Sequence, residues 1–469
     1  MTESQLMYRI KTIHFIGVGG SGMSGIAEVL LNQGYHITGS DQNVNASTIR
    51  LTSLGARIFK GHSAENISDA DAVVVSTAIS SDNPEVKAAN EACLPILPRA
   101  QMLAELMRFH YGIAIAGTHG KTTTTSLVAS ILSESDLDPT FVIGGVLNSS
   151  SSSARSGSGK YFVIEADESD ASFLCFNPMV SVVTNIDADH MQTYDDDFNK
   201  LKQAFIDFLH RLPFYGLVIL CIDDPVVREI IPHISRPIIT YGSNEEADVQ
   251  ISDFKQQGFG SDFVINWQQK NSKIGVHLNL PGKHNALNAV AAAIIAKECC
   301  GVDEKTIDLA LSKFGGVGRR MERHGEISMP KGQVLLLDDY GHHPKEVSVT
   351  MESIRAACPD RRLVVVFQPH RYSRTKALFE DFISVLSSAD LLLLMDIYAA
   401  SEDAIPGIDS RALMRSIRQR GDMEPIFVAD HDDLYSLLPT VLRDKDVLLI
   451  QGAGSVGSIA PRLKQEFGK

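Results

Sequence analysis

The sequence predicts an α/β protein made of three consecutive parallel-sheet blocks. Three observations lead there. Short β-branched runs alternate with helix-period segments along the whole chain, the pattern of parallel strands joined by covering helices. The apolar runs end again and again in acidic residues, His or Gly, as strands do when their carboxyl ends carry chemistry. At 469 residues, the chain is long enough for several domains with sizeable cores.

The first block opens with the strand TIHFIG, the turn GVGGSG and the helix MSGIAEVLLNQG, and continues with strands in YHITGSD and DAVVVSTAI. Gly17, Gly19 and Gly22 form G-x-G-x-x-G, and Asp41 ends the next strand. This pairing specifies a pyrophosphate on a helix N-terminus and a carboxylate for a sugar hydroxyl. A nucleotide sugar satisfies it, and so does NAD, which makes a dehydrogenase the rival reading. Gly452, Gly454 and Gly457 repeat the spacing near the C-terminus without room for a following acidic strand, and read as a tight strand–helix turn. The segment LPILPRAQMLAELMRFH, with Pro95 and Pro98, leads into the second block.

That block starts with a strand over 112–116 and a helix over 121–133, around GTHGKTTT. Gly120, Lys121 and Thr122 end a phosphate-loop pattern, but Ile115 stands where the pattern has its first glycine, and Gly117 is the nearest substitute. Backbone N–H groups at the helix start face an anion, Lys121 reaches terminal phosphates and the Thr122 hydroxyl suits Mg²⁺. Glu165 and His190 follow strands of the same block and fit a divalent ion beside a triphosphate. Glu168 and Asp170 are competing carboxylates, and His190 also reads as a hydrogen-bonded loop residue. His284, Asn285 and Asn288 open an Ala-rich helix; the two amides share a face suited to an adenine edge, or Asn285 caps the helix. The Ser/Gly-rich stretch 148–160 reads as a flexible loop. The third block contains strands in VLLLDDYGHHP, RLVVVFQPHRYSR, DLLLLMDIYAA and DVLLIQGAGSVG.

Composition narrows the partners. The formal charge of −14 comes without a basic stripe, which argues against nucleic acid. Six scattered cysteines form no C-x-x-C pair and read as reduced thiols of a cytoplasmic protein. No apolar run approaches the roughly 20 residues that span a bilayer, so no membrane insertion is expected.

The ordered set GVGGSGMSG, GTHGKTTT, EADESDASF, TNIDADHM, PGKHNALNA, DDYGHHP and FQPHRYSRT resembles the Mur ligases of peptidoglycan synthesis over nearly the whole chain. The resemblance implies a Rossmann-like N-terminal domain for a UDP-sugar (1–107), a central P-loop ATPase-like domain (108–322) and a Rossmann-like C-terminal domain for the amino acid (323–469). It implies that ATP is held by Gly117, Thr118, His119, Gly120, Lys121, Thr122 and Thr123, with His284, Asn285 and Asn288 at adenine, Arg320 at the nucleotide and Asp339 at the ribose. Mg²⁺, with Mn²⁺ as an alternative, would be held by Thr122, Glu165 and His190. Gly19, Ser21, Gly22, Asp41 and His62 would take the UDP-sugar, and Tyr340, His342, Arg371 and Arg374 the amino acid.

The last two motifs resemble the alanine-adding branch, which implies UDP-N-acetylmuramate and L-alanine as substrates, joined through an acyl phosphate with release of ADP and phosphate. A recycling branch, which attaches a whole peptide, is the alternative. Lys121 would stabilise the transferring phosphoryl group, Arg371 and Arg374 would fork the alanine carboxylate, and His342 would accept the amine's proton, since an unperturbed imidazole titrates near pH 6.5. The expected assembly is a monomer or a weak homodimer. Sibling ligases carry a carbamylated lysine 15 residues after the metal-binding histidine. Phe205 stands there, which predicts that none is present.

Overall fold

The structure is a computed structural model that describes residues 7, 9–76, 78–148, 152–421 and 423–468, with the side chains of Ser21 and Ser152 outside the description. It contains three sheets, as the three-block reading expects. The first runs Arg57–Lys60, His36–Asp41, Thr12–Ile16, Ala72–Val75, Ile96–Pro98, parallel throughout. The chain order reverses direction between Thr12–Ile16 and Ala72–Val75, so a crevice opens at the carboxyl ends of those two strands.

The second sheet has ten strands. From one edge they are Ser272–Leu278, Gly260–Trp267, Val249–Gln257, Ile238–Gly242, Leu217–Cys221, Val180–Val183, Tyr111–Ala116, Tyr161–Glu165, Thr140–Leu147 and Ser152–Arg155. Its centre is parallel: Tyr111–Ala116 lies between Val180–Val183 and Tyr161–Glu165. These central strands read as near-continuous apolar runs because helices cover both faces. The third sheet runs Glu322–Met329, Gly332–Asp339, Val447–Gln451, Leu363–Phe367, Leu391–Met395, Ile426–Val428, with only the first pair antiparallel.

One expectation is corrected here. Ser152–Arg155, inside the stretch read as a flexible loop, is an edge strand paired antiparallel to Thr140–Leu147, with Val142 opposite Ala154. Ala154 and Val142 pack onto Gly25 of the helix Ser21–Asn32, where a Cβ on Gly25 would lie 2.9 Å from that of Ala154. Small side chains let the strand lie close on the helix, so the low-complexity composition serves packing. Residues 149–151 of the same stretch lie outside the described residues.

By packing, the chain divides into two compact units. One comprises Met1–Phe254, Phe263–Leu278 and Asn285–Gly315; the other comprises Lys255–Asp262, Asn279–His284 and Gly316–Lys469. The first holds a large core that includes Phe162, Ile164, Phe173, Phe205 and Phe208. Phe205, at the position of the siblings' carbamylated lysine, is fully buried with its ring edge-on to Phe173 at 5.3 Å. In the second unit, apolar clusters cover both faces of the third sheet, around Leu337, Val365 and Leu449 on one side and Leu336, Val366 and Ile450 on the other. Among the described residues no helix is long and apolar enough to cross a membrane.

Candidate active site

Ile115 is fully buried in the central strand, where no loop glycine belongs. The loop begins two residues later. Gly117 has φ +125°, and a Cβ there would collide with Thr184 Oγ1 and lie 2.9 Å from the Thr184 nitrogen. Gly120 has φ +86°, and its Cβ would lie 2.7 Å from Asn288 Oδ1. The two glycines are therefore needed at a spacing of three, and the loop turns tightly into the helix Lys121–Glu134. Thr122 to Thr125, poor helix formers on propensity, are buried against the sheet, so tertiary packing outweighs their intrinsic cost.

The segment after Val180–Val183 clamps this loop. Thr118 N donates to the Asn185 carbonyl at 3.1 Å, and His119 N to Asn185 Oδ1 at 2.8 Å. Thr184 Oγ1 and Asn185 Nδ2 donate back to the His119 carbonyl at 2.6 and 2.9 Å, and Asp187 N donates to Thr118 Oγ1 at 2.8 Å. His119 Nε2 lies 3.5 Å from Asp187. The sequence motif singled out for His190 is thus also the clamp of the phosphate loop, a role that became visible only once the two strands were paired. Gly117→Ala should lower unfolding stability by about 2–4 kcal/mol, summing a left-handed backbone penalty and overpacking. Equilibrium denaturation checks this, and an unchanged midpoint would mean that the clamp yields.

Lys121 Nζ donates to the Gly117 and Thr118 carbonyls at 2.7 and 3.2 Å and to both oxygens of Glu168 at 3.0 and 2.8 Å. Burial works against the ammonium, but the carboxylates of Glu168, Asp167 and Glu165 outweigh it and raise its pKa, so the lysine stays charged. Glu165, in contrast, accepts from Thr122 Oγ1 at 3.2 Å and from Gly144 N at 2.8 Å. Glu165 and its competitor Glu168 therefore take different partners, Glu168 the lysine and Glu165 the threonine. A hydroxyl beside a carboxylate is a hard-oxygen pair that fits Mg²⁺. His190 opens the turn Met191–Tyr194 with φ +55° and lies 3.5 Å from Asp189. Asn285 and Asn288 are buried on their helix, while His284 is half-buried and held by burial at about 4.

In the first sheet, Asp41 Oδ2 accepts from Gly19 N at 2.9 Å and Asp41 Oδ1 from Asn43 N at 3.0 Å, and a Cβ on Gly19 would lie 2.8 Å from that carboxylate. A Cβ on Gly22 would run into Arg99, a cation that sequence reading passed over because it opens the helix Arg99–Met107 far along the chain from the glycine loop. His62 follows the neighbouring strand and bonds Ser40 and Glu85.

In the third sheet, Asp339 is turned inward. It accepts from Met321 N, Gly341 N, Thr350 Oγ1 and Gln451 Nε2, bonds that anchor the end of its strand. Arg319 and Arg320 lie 5.2 and 5.3 Å from the Tyr340 ring. His343, beside the predicted His342, caps the helix Pro344–Ala357 with Glu346. His342 Nδ1 lies 3.2 Å from the Tyr340 carbonyl, which assigns the proton to Nδ1 and leaves Nε2 as the acceptor of the neutral ring.

His370, missed in the sequence, sits 5.4 Å from the His342 ring and stacks on Tyr398 at 5.6 Å. Burial, then the neighbouring His342, Arg374 and Arg371, push it down to about 3, so it stays neutral. Arg374 is buried with Nη1 3.4 Å from His370 Nδ1, whereas Arg371 is only half-buried, has φ +71° and lies 4.0 Å from Glu402. Glu402 is fixed by Ser373 N and Oγ at 2.9 and 2.6 Å. A strained arginine beside a fixed acid, next to a buried arginine and a neutral histidine, suits a small carboxylate-bearing ligand.

Comparison with known proteins identifies the family. Residues 12–111 match the Mur ligase family catalytic domain, residues 115–296 the Mur ligase middle domain and residues 319–454 the Mur ligase glutamate ligase domain. The chain is similar to the crystal structure of UDP-N-acetylmuramate-alanine ligase MurC from Thermotoga maritima, with 28% identity, TM-score 0.81 and coverage of 98% of this chain and 99% of that one. A murein peptide ligase from Psychrobacter arcticus (24% identity, TM-score 0.72, coverage 98% and 99%) and the MurF ligase from Thermotoga maritima in complex with ADP (17%, 0.60, coverage 98% and 96%) share the fold. With three sheets, a clamped phosphate loop and matches along most of its length, this chain belongs to the Mur ligase family of ATP-dependent peptidoglycan precursor ligases.

Proposed function

We propose that the chain joins L-alanine to the lactyl carboxylate of UDP-N-acetylmuramate. The observation that carries this reading is the cluster of Arg371, Arg374, His342 and His370, compact and doubly cationic, beside 28% identity over 98% of the chain to an alanine-adding ligase. ATP lies on the loop Gly117–Gly120, with its phosphates at the N-terminus of the helix Lys121–Glu134. Thr122 and Glu165, with His190, would hold a divalent cation, which would supply charge neutralisation to the phosphates.

Lys121 leaves its loop carbonyls to hold the γ-phosphoryl oxygens, where charge develops. A lactyl oxygen attacks the γ-phosphorus and ADP leaves. The alanine amine then attacks the acyl carbon, phosphate leaves, and the amine's proton passes to Nε2 of His342. Arg374 and Arg371 fix the alanine carboxylate, and the neutral His370 supports the site without adding a third charge.

Phosphate release tests the reading, with ATP, Mg²⁺, UDP-N-acetylmuramate and L-alanine omitted one at a time and the product mass recorded. Release that needs all four, with a UDP-muramoyl-alanine mass, is expected. Release with L-alanyl-γ-D-glutamyl-meso-diaminopimelate but not with alanine would move the chain to the peptide-recycling branch.

A further inference from the structure

Beneath the Gly17–Gly22 loop lies a buried polar cluster that the ligation chemistry does not use. Glu85, at the start of the helix Pro84–Glu91, is fully buried. Its Oε2 accepts from Ser40 Oγ at 2.6 Å and lies 3.0 Å from His62 Nδ1. Its Oε1 accepts from Asn66 Nδ2 at 2.6 Å, with Ser63 N at 3.4 Å and His14 Nε2 at 3.7 Å. His14 is itself fully buried, its Nδ1 2.8 Å from Thr38 Oγ1. Burial would lift the Glu85 carboxyl, but the His14, Ser40 and Asn66 side chains outweigh it and hold it down at about 2, so the group is a carboxylate.

That charge settles the proton on His62. Ser40 has one hydroxyl hydrogen and gives it to Glu85. Ser40 Oγ, 2.9 Å from His62 Nδ1, is then an acceptor toward the ring, and so is the carboxylate. Two acceptors facing one ring nitrogen require that nitrogen to carry the hydrogen. The neutral His62 ring is therefore the Nδ1–H tautomer, with Nε2 left as an acceptor.

We propose that Glu85 is a positioning residue that locks His62 as a hydrogen-bond acceptor for the N3–H of a uracil base. The proposal rests on the reading of the first sheet as the UDP-sugar site, since Asp41 and His62 follow adjacent strands tied by Gly61 N to the Asp41 carbonyl at 2.8 Å. Uracil presents a donor at N3 and cytosine an acceptor, so an acceptor Nε2 selects uracil and opposes cytosine. A carboxylate with no contact to the ligand thereby sets base specificity through the histidine it orients, as such partners orient metal-bound histidines.

The tautomer is read directly on the intact enzyme labelled with ¹⁵N-histidine, with the His62 signals identified by their loss in His62→Gln. A protonated Nδ1 and a bare Nε2 at neutral pH are expected. An Nε2–H ring would overturn the proposal. Calorimetric titration with UDP and CDP then compares wild type with Glu85→Gln. The wild type should prefer UDP. The variant should bind UDP about tenfold more weakly and lose most of the UDP-over-CDP preference, because its amide no longer dictates the tautomer. A general loosening would weaken both nucleotides equally, and that result, or an unchanged ratio, would overturn the proposal. Failure of the wild type to bind UDP would instead overturn the UDP-sugar reading, leaving the tautomer result to stand by itself.

Discussion

Lys121→Ala is expected to lower turnover by about 10²–10³-fold, on the scale of deleting one preorganised donor from a developing oxyanion. The ammonium is the only side-chain cation hydrogen-bonded to the loop carbonyls of Gly117 and Thr118 among the described contacts, and it sits at the N-terminus of a fourteen-residue helix. Backbone N–H groups would still bind phosphate, so the Michaelis constant for ATP should move less than turnover. The change also leaves Glu168, whose side chain is 2% exposed, without its cation. A carboxylate stranded there takes up a proton rather than stay charged.

The consequence for stability has a definite sign. Burial already pushes Glu168 up, and loss of Lys121 pushes it further. A carboxyl whose folded pKa exceeds its unfolded value binds more protons in the native state, so stability falls as pH rises through that window. The variant should therefore lose stability relative to wild type from the ordinary Glu range upward and recover it at lower pH. Denaturation at pH 5 and pH 8, beside steady-state kinetics, checks both parts. Turnover within tenfold of wild type would remove Lys121 from the chemistry.

Much of the fold was legible because its signals are local. Strand runs such as YFVIE and LVVVF, and the glycine turns, declare themselves within a few residues. What escaped depended on partners far along the chain. The shifted glycine made no sense until Gly117 was seen against Thr184, a residue just past the end of another strand. Glu165 and Glu168 are three apart in sequence and inseparable by spacing, yet one faces Thr122 and the other Lys121. Ser152–Arg155 looked unstructured because polarity marks a loop, and only the pairing with Thr140–Leu147 shows that small residues were wanted there. His370 was passed over inside FQPHRYSRT in favour of the two arginines beside it, and Glu402 stands in no motif at all. Their importance comes from what they press against.

Arg374→Ala is expected to raise the Michaelis constant for L-alanine about 100-fold with turnover changed far less, and Arg371→Ala only about 5–10-fold. The asymmetry follows from burial. Arg374 is 7% exposed, so its bonds to a carboxylate form away from water, where a charged hydrogen bond contributes about 1.5–3 kcal/mol. The Arg371 side chain is 42% exposed and already lies near Glu402, so solvent screening and that acid both dilute its pull. His370 cannot take over as a cation, because burial is the first cause of its depression to about 3 and persists without Arg374. Arg374→Lys should restore little, since a point charge does not reproduce a planar fork. If Arg371 proved the costlier loss, the carboxylate anchor would have to move to the rim of the cluster. If both variants kept the wild-type constant for alanine while losing turnover equally, the pair would act on the transition state rather than on the amino acid.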